Sequence, residues 1–379
     1  MDMGGAMGMG GAMSKGSKTA KQFARRGKDG YELFQGCTDA KCKSENKRIL
    51  DEVAATADKA IGTIERPSEA MRAAAKVARA AIAANGVDVE CRFQRLSASE
   101  VLALSEKQRG AVFEAPTVIT GFNDDWPAFK AWSSPHNFSH RFGHHHLMAK
   151  RSSFSFTEVL ETVKSERERE LSLRDAEVFL SDAIAFAASE HLIVLDEKQQ
   201  TKGEWQLQAE LTRDYTVPPV LEAASAVRVF SFGGGMRGVE MMQHAVAWLA
   251  TVAGAKLWSV AAPHLPQPSN VECREDGKFD VAKAEQEGVT HCLLMPGEII
   301  VVPDFWWHAT CNLLPYTVAI GAQVWVQPKT FDVRSPPPAV DVPYGTRGLN
   351  NYQLKVVPTL RDGQLVGPRE QRAVAKQEL

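Results

Sequence analysis

The sequence predicts a mainly β protein, a sandwich or barrel, preceded by a helical hairpin. Three observations carry that expectation. Short β-branched or apolar runs recur, each closed by Gly or Pro, as in "APTVITGF" (115–122), "AVRVFSFGGG" (226–235) and "YTVAIGAQVWV" (316–326). Strands this short at this spacing suit an antiparallel sandwich or barrel, not a parallel sheet. Ahead of them, residues 46–85 carry helical periodicity instead.

The helical part is read first. Ile49, Val53 and Ile64 fall roughly on one face, and Pro67 interrupts the pattern. Met71, Ala75, Ala78 and Ile82 then alternate at spacings of four and three, and Asn85-Gly86 supplies a stop. Within the β part, "HLIVLDE" (191–197) reads as a strand, and "AWLATVAGAKLWSVAAP" (247–263) as two strands joined at Ala253-Gly254. "HCLLMPGEIIVVP" (291–303) reads as a hairpin turning at Pro296-Gly297. "FTEVLETVKSERERE" (156–170) has the pattern of an amphipathic helix with a solvated charged face.

Length and composition bound the class. The 379 residues allow one large domain with an accessory segment. A net charge of −2 gives no global field for nucleic acid or membrane. No apolar run approaches the ~20 residues of a membrane span. There is no secretory signal pattern. Six cysteines are too sparse for a disulfide scaffold, so all six are expected to be reduced in an intracellular compartment, cytoplasm or nucleus. The acid-free stretch 3–28 leaves an organelle transit peptide open beside a solvated tail. Four regions follow: a low-complexity and basic tail (1–43), a helical hairpin (44–86), the β domain (87–328) and a Pro-rich tail (329–379).

The stretch "PGEIIVVPDFWWHATCNL" (296–313) sets two tryptophans directly before His308. That histidine is either a buried imidazole bonded to a backbone carbonyl or a metal ligand at a barrel mouth. With "VFSFGGGMRG", with Gly254, Lys256, Trp258 and Pro263, and with "PTVITGFNDDWPAFKAWS", this stretch resembles the JmjC domain over about 87–327. The resemblance implies a cupin-like jelly roll, the double-stranded β-helix. It also implies Fe(II) held by His-x-Asp/Glu and a distal His, with 2-oxoglutarate as cosubstrate. Two ligands two residues apart on a strand share a face, and a third from another strand closes the triangle.

On these landmarks the metal positions are Met242, His244 and His308, with Met242 standing where the family places its first histidine. A thioether is a weak donor for ferrous iron. Glu240, two residues earlier, would share the strand face and is a conceivable substitute. Lys256 corresponds to the lysine that pairs with 2-oxoglutarate; on a strand end its ordinary role is a solvated surface residue. Asn312 and Thr317 complete the cofactor candidates, with Val239 and Gly321 at positions where the family has hydroxyls. Elsewhere, His144, His145 and His146 read as an exposed loop, because neighbours on a strand face opposite ways. His140 and His144 share a helical spacing.

Three functions remain open. One is a JmjC-like Fe(II)/2-oxoglutarate oxygenase, a protein hydroxylase or demethylase type with a weakened metal site. The second is an inactive JmjC-fold scaffold that has lost iron through Met242. The third is a metal-cupin of other chemistry using His244, His308 and Glu240. A protein substrate or partner is expected, and a homodimer is conceivable.

Overall fold

The computed structural model describes residues 40–85, 89, 91–151, 176–186, 192–196, 202–221, 227–235, 237–244, 246–268, 281–323, 359–361 and 364–366. The expected basic tail, the helix at 156–170 and most of the Pro-rich tail lie outside these.

The chain begins with helices α1 (Ala40–Ile61) and α2 (Pro67–Ala84), then β1 (Gln94–Ser97), α3 (Ala98–Ala103), α4 (Glu106–Val112) and β2 (Thr117–Thr120). Next come α5 (Ala128–Ala131), α6 (Pro135–Phe142), β3 (His146–Arg151), β4 (Ala176–Phe179), α7 (Leu180–Phe186), β5 (Leu192–Asp196) and α8 (Lys202–Leu211). The remainder is β6 (Val227–Gly233), β7 (Arg237–Met242), β8 (Ala247–Ala253), β9 (Lys256–Ala261), α9 (Val281–Gln286), β10 (Thr290–Leu294), β11 (Glu298–Val302), β12 (Trp307–Asn312), β13 (Thr317–Gln323) and a small hairpin, β14 (Thr359–Arg361) with β15 (Gln364–Val366).

Two sheets face each other. The larger runs β1-β2-β11-β8-β13-β6-β5-β3-β4, and the smaller runs β10-β9-β12-β7. From β6 onward the chain crosses between sheets at nearly every turn. Strands β6, β8, β11 and β13 lie in one sheet, and β7, β9, β10 and β12 in the other. That alternation is the double-stranded β-helix. Residues of β8, β9, β11, β12 and β13 are buried throughout, so both faces of these strands are covered. This explains their continuous apolar character.

The crossing pattern corrects one expectation. The strands on either side of Pro296-Gly297 form no hairpin. β10 pairs with β9, whereas β11 pairs with β2 and β8. Gly297, at φ 89°, makes the turn that moves the chain between sheets. A local turn signal specifies reversal of direction and leaves the partner open.

Between the sheets lies an inner core that includes Leu249, Trp258, Val260, Ile300 and Ala319. On the outer face of the larger sheet the helical layer packs around Trp132, Phe138, Phe142 and Phe230. In α1 the buried line is Leu50, Ala54, Ala57 and Ile61, one residue along from the stripe expected at Ile49 and Val53. Ala70, Ala74, Ala78 and Ile82 of α2 are buried too, small side chains that let helices approach closely. Deep in this layer Asp214 accepts bonds from Trp132 Nε1 (2.7 Å) and Arg141 (2.6 Å), a charge paired on burial. No helix among the described residues is long and apolar enough to cross a membrane.

A second correction concerns the cysteines. Cys91 and Cys292, 201 residues apart, form a disulfide, and Cys311 is disulfide-bonded as well. Folding lays the segment before β1 along β10, where Arg92 N donates to His291 O (3.4 Å). That placement, with Phe93 packed in the same cluster as Cys292, brings Cys91 to Cys292. Cross-linking so long a loop restricts the unfolded chain, so Cys91→Ser is expected to cost about 2–4 kcal/mol. The check is the urea midpoint of oxidised protein; equal midpoints for the two proteins would contradict it.

Candidate functional site

The site sits inside the barrel, where β7, β9 and β12 of the smaller sheet face β6, β8 and β13 of the larger. A cavity of about 50 Å³ lies there. Its lining includes Met242, His244, Lys256, His308, Thr310 and Gln323.

Strand pairing places the metal candidates. β12 runs antiparallel to β7 with His308 opposite Met242. The next pair is Thr310 with Val239, so the register shifts between them. This bulge puts two residues, Glu240 and Met241, across from Ala309. Val239 and Met242 both line the cavity, while Met241 packs on the outer side with Trp307 and Ala309. The strict alternation behind the Glu240 expectation is therefore interrupted. The side chain of Glu240 lies outside the described residues.

His244 follows β7, and its carbonyl accepts from Phe305 N (2.9 Å). Phe305 has φ 59°, a left-handed conformation uncommon for a bulky residue, in the turn that leads to His308. Asp304 in the same turn accepts from Val246 N (2.7 Å). The turn thus clamps both ends of the loop bearing His244.

The two imidazoles meet. His308 Nε2 lies 2.7 Å from His244 Nε2, with rings nearly perpendicular at 87°. His308 Nδ1 is 2.8 Å from Trp306 O. A carbonyl only accepts, so Nδ1 carries a proton there. Burial, with His244 beside it, drives the His308 pKa down to about 3, so the ring is neutral near pH 7 and Nε2 presents a lone pair. His308 is thus the buried imidazole bonded to a backbone carbonyl, and its Nε2 is turned to His244 inside the cavity. Gln323 Nε2 stands 3.3 Å from His244 Nε2. The tryptophans before His308 diverge. Trp306 packs toward the inner core, and Trp307 lies on the outer face, donating to Leu265 O (2.9 Å).

Lys256 is 1 % exposed, not a surface residue. Its amine donates to Ser231 Oγ (3.1 Å). Burial lowers its pKa from the usual 10.5 to about 7. Asn312, register partner of Lys256, is fully buried, and neither atom of its amide makes a hydrogen bond. Thr317 is not part of the cavity lining, and its hydroxyl donates to Leu314 O (3.4 Å). At Gly321 a Cβ would run into the Trp248 carbonyl oxygen, so close approach of β13 and β8 excludes the hydroxyl side chain the family carries there.

Sequence reasoning missed Ser231, Thr310 and Gln323. Period-two counting reaches them: Thr310 shares a face with His308, and Gln323 with Gly321. The missing step was knowing which face looks inward.

No family model matches the chain. It is 25% identical over 263 residues to a lysine-specific demethylase, JMJ21, of Arabidopsis thaliana, covering 61% of this chain and 25% of that protein. It is also 25% identical over 218 residues to JmjC domain-containing protein 8 of Rattus norvegicus, and 23% identical over 219 to that of Homo sapiens. These cover 56% of this chain and 76% and 77% of the relatives. The chain thus spans about a quarter of the plant demethylase it resembles.

JmjC proteins in general depend on Fe(II) and 2-oxoglutarate. The described donors do not fit a ferrous His/carboxylate/His triad: the cavity offers two imidazoles, a thioether and an amide, and its described lining holds no carboxylate.

Burial of Lys256 carries a pH signature. Its folded pKa of about 7 lies below the unfolded value of about 10.4. Between them the unfolded chain binds more protons, so this lysine makes stability rise with pH across that window, and its full cost is felt below it. Lys256→Met is expected to be more stable than wild type at pH 7, with the difference shrinking toward pH 10. Thermal melts of both proteins across that range check it; a constant difference would place the amine in solvent. In sequence the chain resembles JmjC proteins, and its fold is the double-stranded β-helix which that resemblance implies.

Proposed function

We propose that this chain keeps the cavity of the JmjC oxygenases but acts by binding, as a module for an oxo-acid and a protein partner, and not through oxygen chemistry. One observation carries the reading: Met242 stands opposite His308 in the strand register, where the family resemblance puts a histidine, and no described carboxylate lines the cavity. A whole structural metal site is worth about 10–16 kcal/mol, so losing one of three ligands removes several of these.

The anion half of the cavity supports ligand binding. Lys256 is buried with Ser231 as its partner and no carboxylate beside it among the described residues. A dicarboxylate such as 2-oxoglutarate would supply the missing negative charge and hold the amine protonated. The unpaired amide of Asn312 adds hydrogen-bonding capacity close to the strand position of Lys256.

A specific observation favours a second reading. The imidazole nitrogens, 2.7 Å apart, are close to the separation of about 3 Å that neighbouring ligands take around a metal bound at ~2.1 Å. On that reading the chain is a weakened Fe(II)/2-oxoglutarate oxygenase of hydroxylase or demethylase type, with His244 and His308 as ligands and Lys256 as cosubstrate anchor. Iron, when bound, would supply oxygen activation.

Anaerobic titration separates the two. Wild-type protein with Fe(II) and millimolar 2-oxoglutarate is expected to show no visible charge-transfer band, while calorimetry detects the oxo-acid alone. Its affinity should fall as pH rises above about 7 and be lost in Lys256→Met. Met242→His should raise metal affinity by at least about tenfold, equivalent to ~1.4 kcal/mol. A band in the wild type would establish the oxygenase reading instead. No gain from Met242→His would show that residue 242 does not stand at a ligand position.

A further inference from the structure

His144 and His145 belong to no part of the cavity. The sequence reading puts them in an exposed loop, where consecutive residues do not easily converge on one ion. In the structure His144 is exposed, but His145 is 3 % exposed. Both turn toward Glu210 in the last turn of α8.

We propose that His144, His145 and Glu210 form a separate metal site, taking a zinc-class divalent ion that ties α8 to the start of β3. The three donor atoms all lie within 4.8 Å of one another. His145 Nε2 is buried and stands 3.2 Å from Glu210 Oε2, an ion-pair contact without the geometry of a full hydrogen bond. A buried ring nitrogen with a carboxylate as its neighbour and no well-formed hydrogen bond is an incomplete arrangement, and an ion between the two completes it.

Zinc holds nitrogen and oxygen donors at about 2.0–2.2 Å, which sets tetrahedral donors about 3.3–3.5 Å apart. His145 and Glu210 already have that spacing. His144 stands within 4.8 Å of both, and its exposed side chain can turn to reach the ion. The rings of His144 and His145 are 4.1 Å apart between centroids, so they leave the backbone on the same side.

Adjacent residues converge here because the segment is not a strand. It is the turn after α6, held by His145 N to Phe142 O (3.1 Å), Leu180 N to His145 O (2.9 Å) and Ser181 N to Gly143 O (3.0 Å). Two imidazoles and a carboxylate suit zinc, with water in the fourth, solvent-facing position. The ion would also offset a carboxylate placed at the negative end of α8. In the sheet order β5 separates β3 from β6, the cavity-lining strand on that side, and none of the three residues lines the cavity.

The test uses the full chain carrying His244→Ala, stripped of metal with a chelator. Zinc is titrated against a chromophoric competitor, and Co(II) is titrated separately for its visible spectrum. The expected result is a Co(II) spectrum of tetrahedral intensity and a rise in melting temperature with zinc. His144→Ala and Glu210→Gln, at exposed and half-exposed positions, are each expected to weaken zinc by more than the ~10–100-fold typical of changes around a metal's ligands, and to abolish the rise. Unchanged zinc affinity in both variants would overturn the proposal. So would loss of all zinc binding in the His244→Ala protein, since that outcome would place the metal in the cavity.

Discussion

The pairing of β12 with β7 is the constraint on which the site depends. It sets His308 opposite Met242, and the bulge beyond them turns Val239 and Met242 into the cavity together. Because a strand has a period of two, one bulge decides which neighbours face in and which face out. The turn before β12, with Phe305 left-handed and bonded to the His244 carbonyl, then brings the second imidazole to the first. Remove that register and neither the imidazole pair nor the cavity above Lys256 exists.

Electrostatics follow from burial in this frame. His308 is kept neutral and Lys256 is held near its point of half-protonation, each chiefly by desolvation. The described cavity therefore has donors and lone pairs but no fixed negative charge. Such an interior is poor at holding a divalent ion without a carboxylate and well suited to an anion that arrives with its own. The same chain shows the opposite solution at Asp214, where a buried carboxylate is met by Arg141 and Trp132 and serves packing.

Covalent and polar ties fasten the helical and edge elements to this barrel. The Cys91–Cys292 bond anchors the segment before β1 to the smaller sheet. At the other end of the larger sheet, the His144–His145 turn is fixed to α7 by backbone bonds and faces Glu210 of α8. Both ties join elements far apart in sequence, and both sit outside the cavity.

Local pattern by itself determined the helical hairpin and the succession of short strands, and the resemblance to the JmjC domain pointed to positions 244 and 308, which meet in the barrel. Those features are carried by periodicity, turn residues and short motifs, which act over a few residues. What the tertiary structure decided were matters of partnership and face. Pro296-Gly297 marks a turn, but the larger sheet, not the turn, chose β2 and β8 as partners of β11. Lys256 reads as either a cosubstrate anchor or a surface residue until the closing of the barrel buries it, and Gly321 as a lost hydroxyl until β8 leaves it no room. His145 reads as exposed until α8 covers it, and Cys91 finds Cys292 across 201 residues. The physical reason is the same in each case: side-chain environment is set by which distant strand or helix arrives, and a sequence window records only its own few residues.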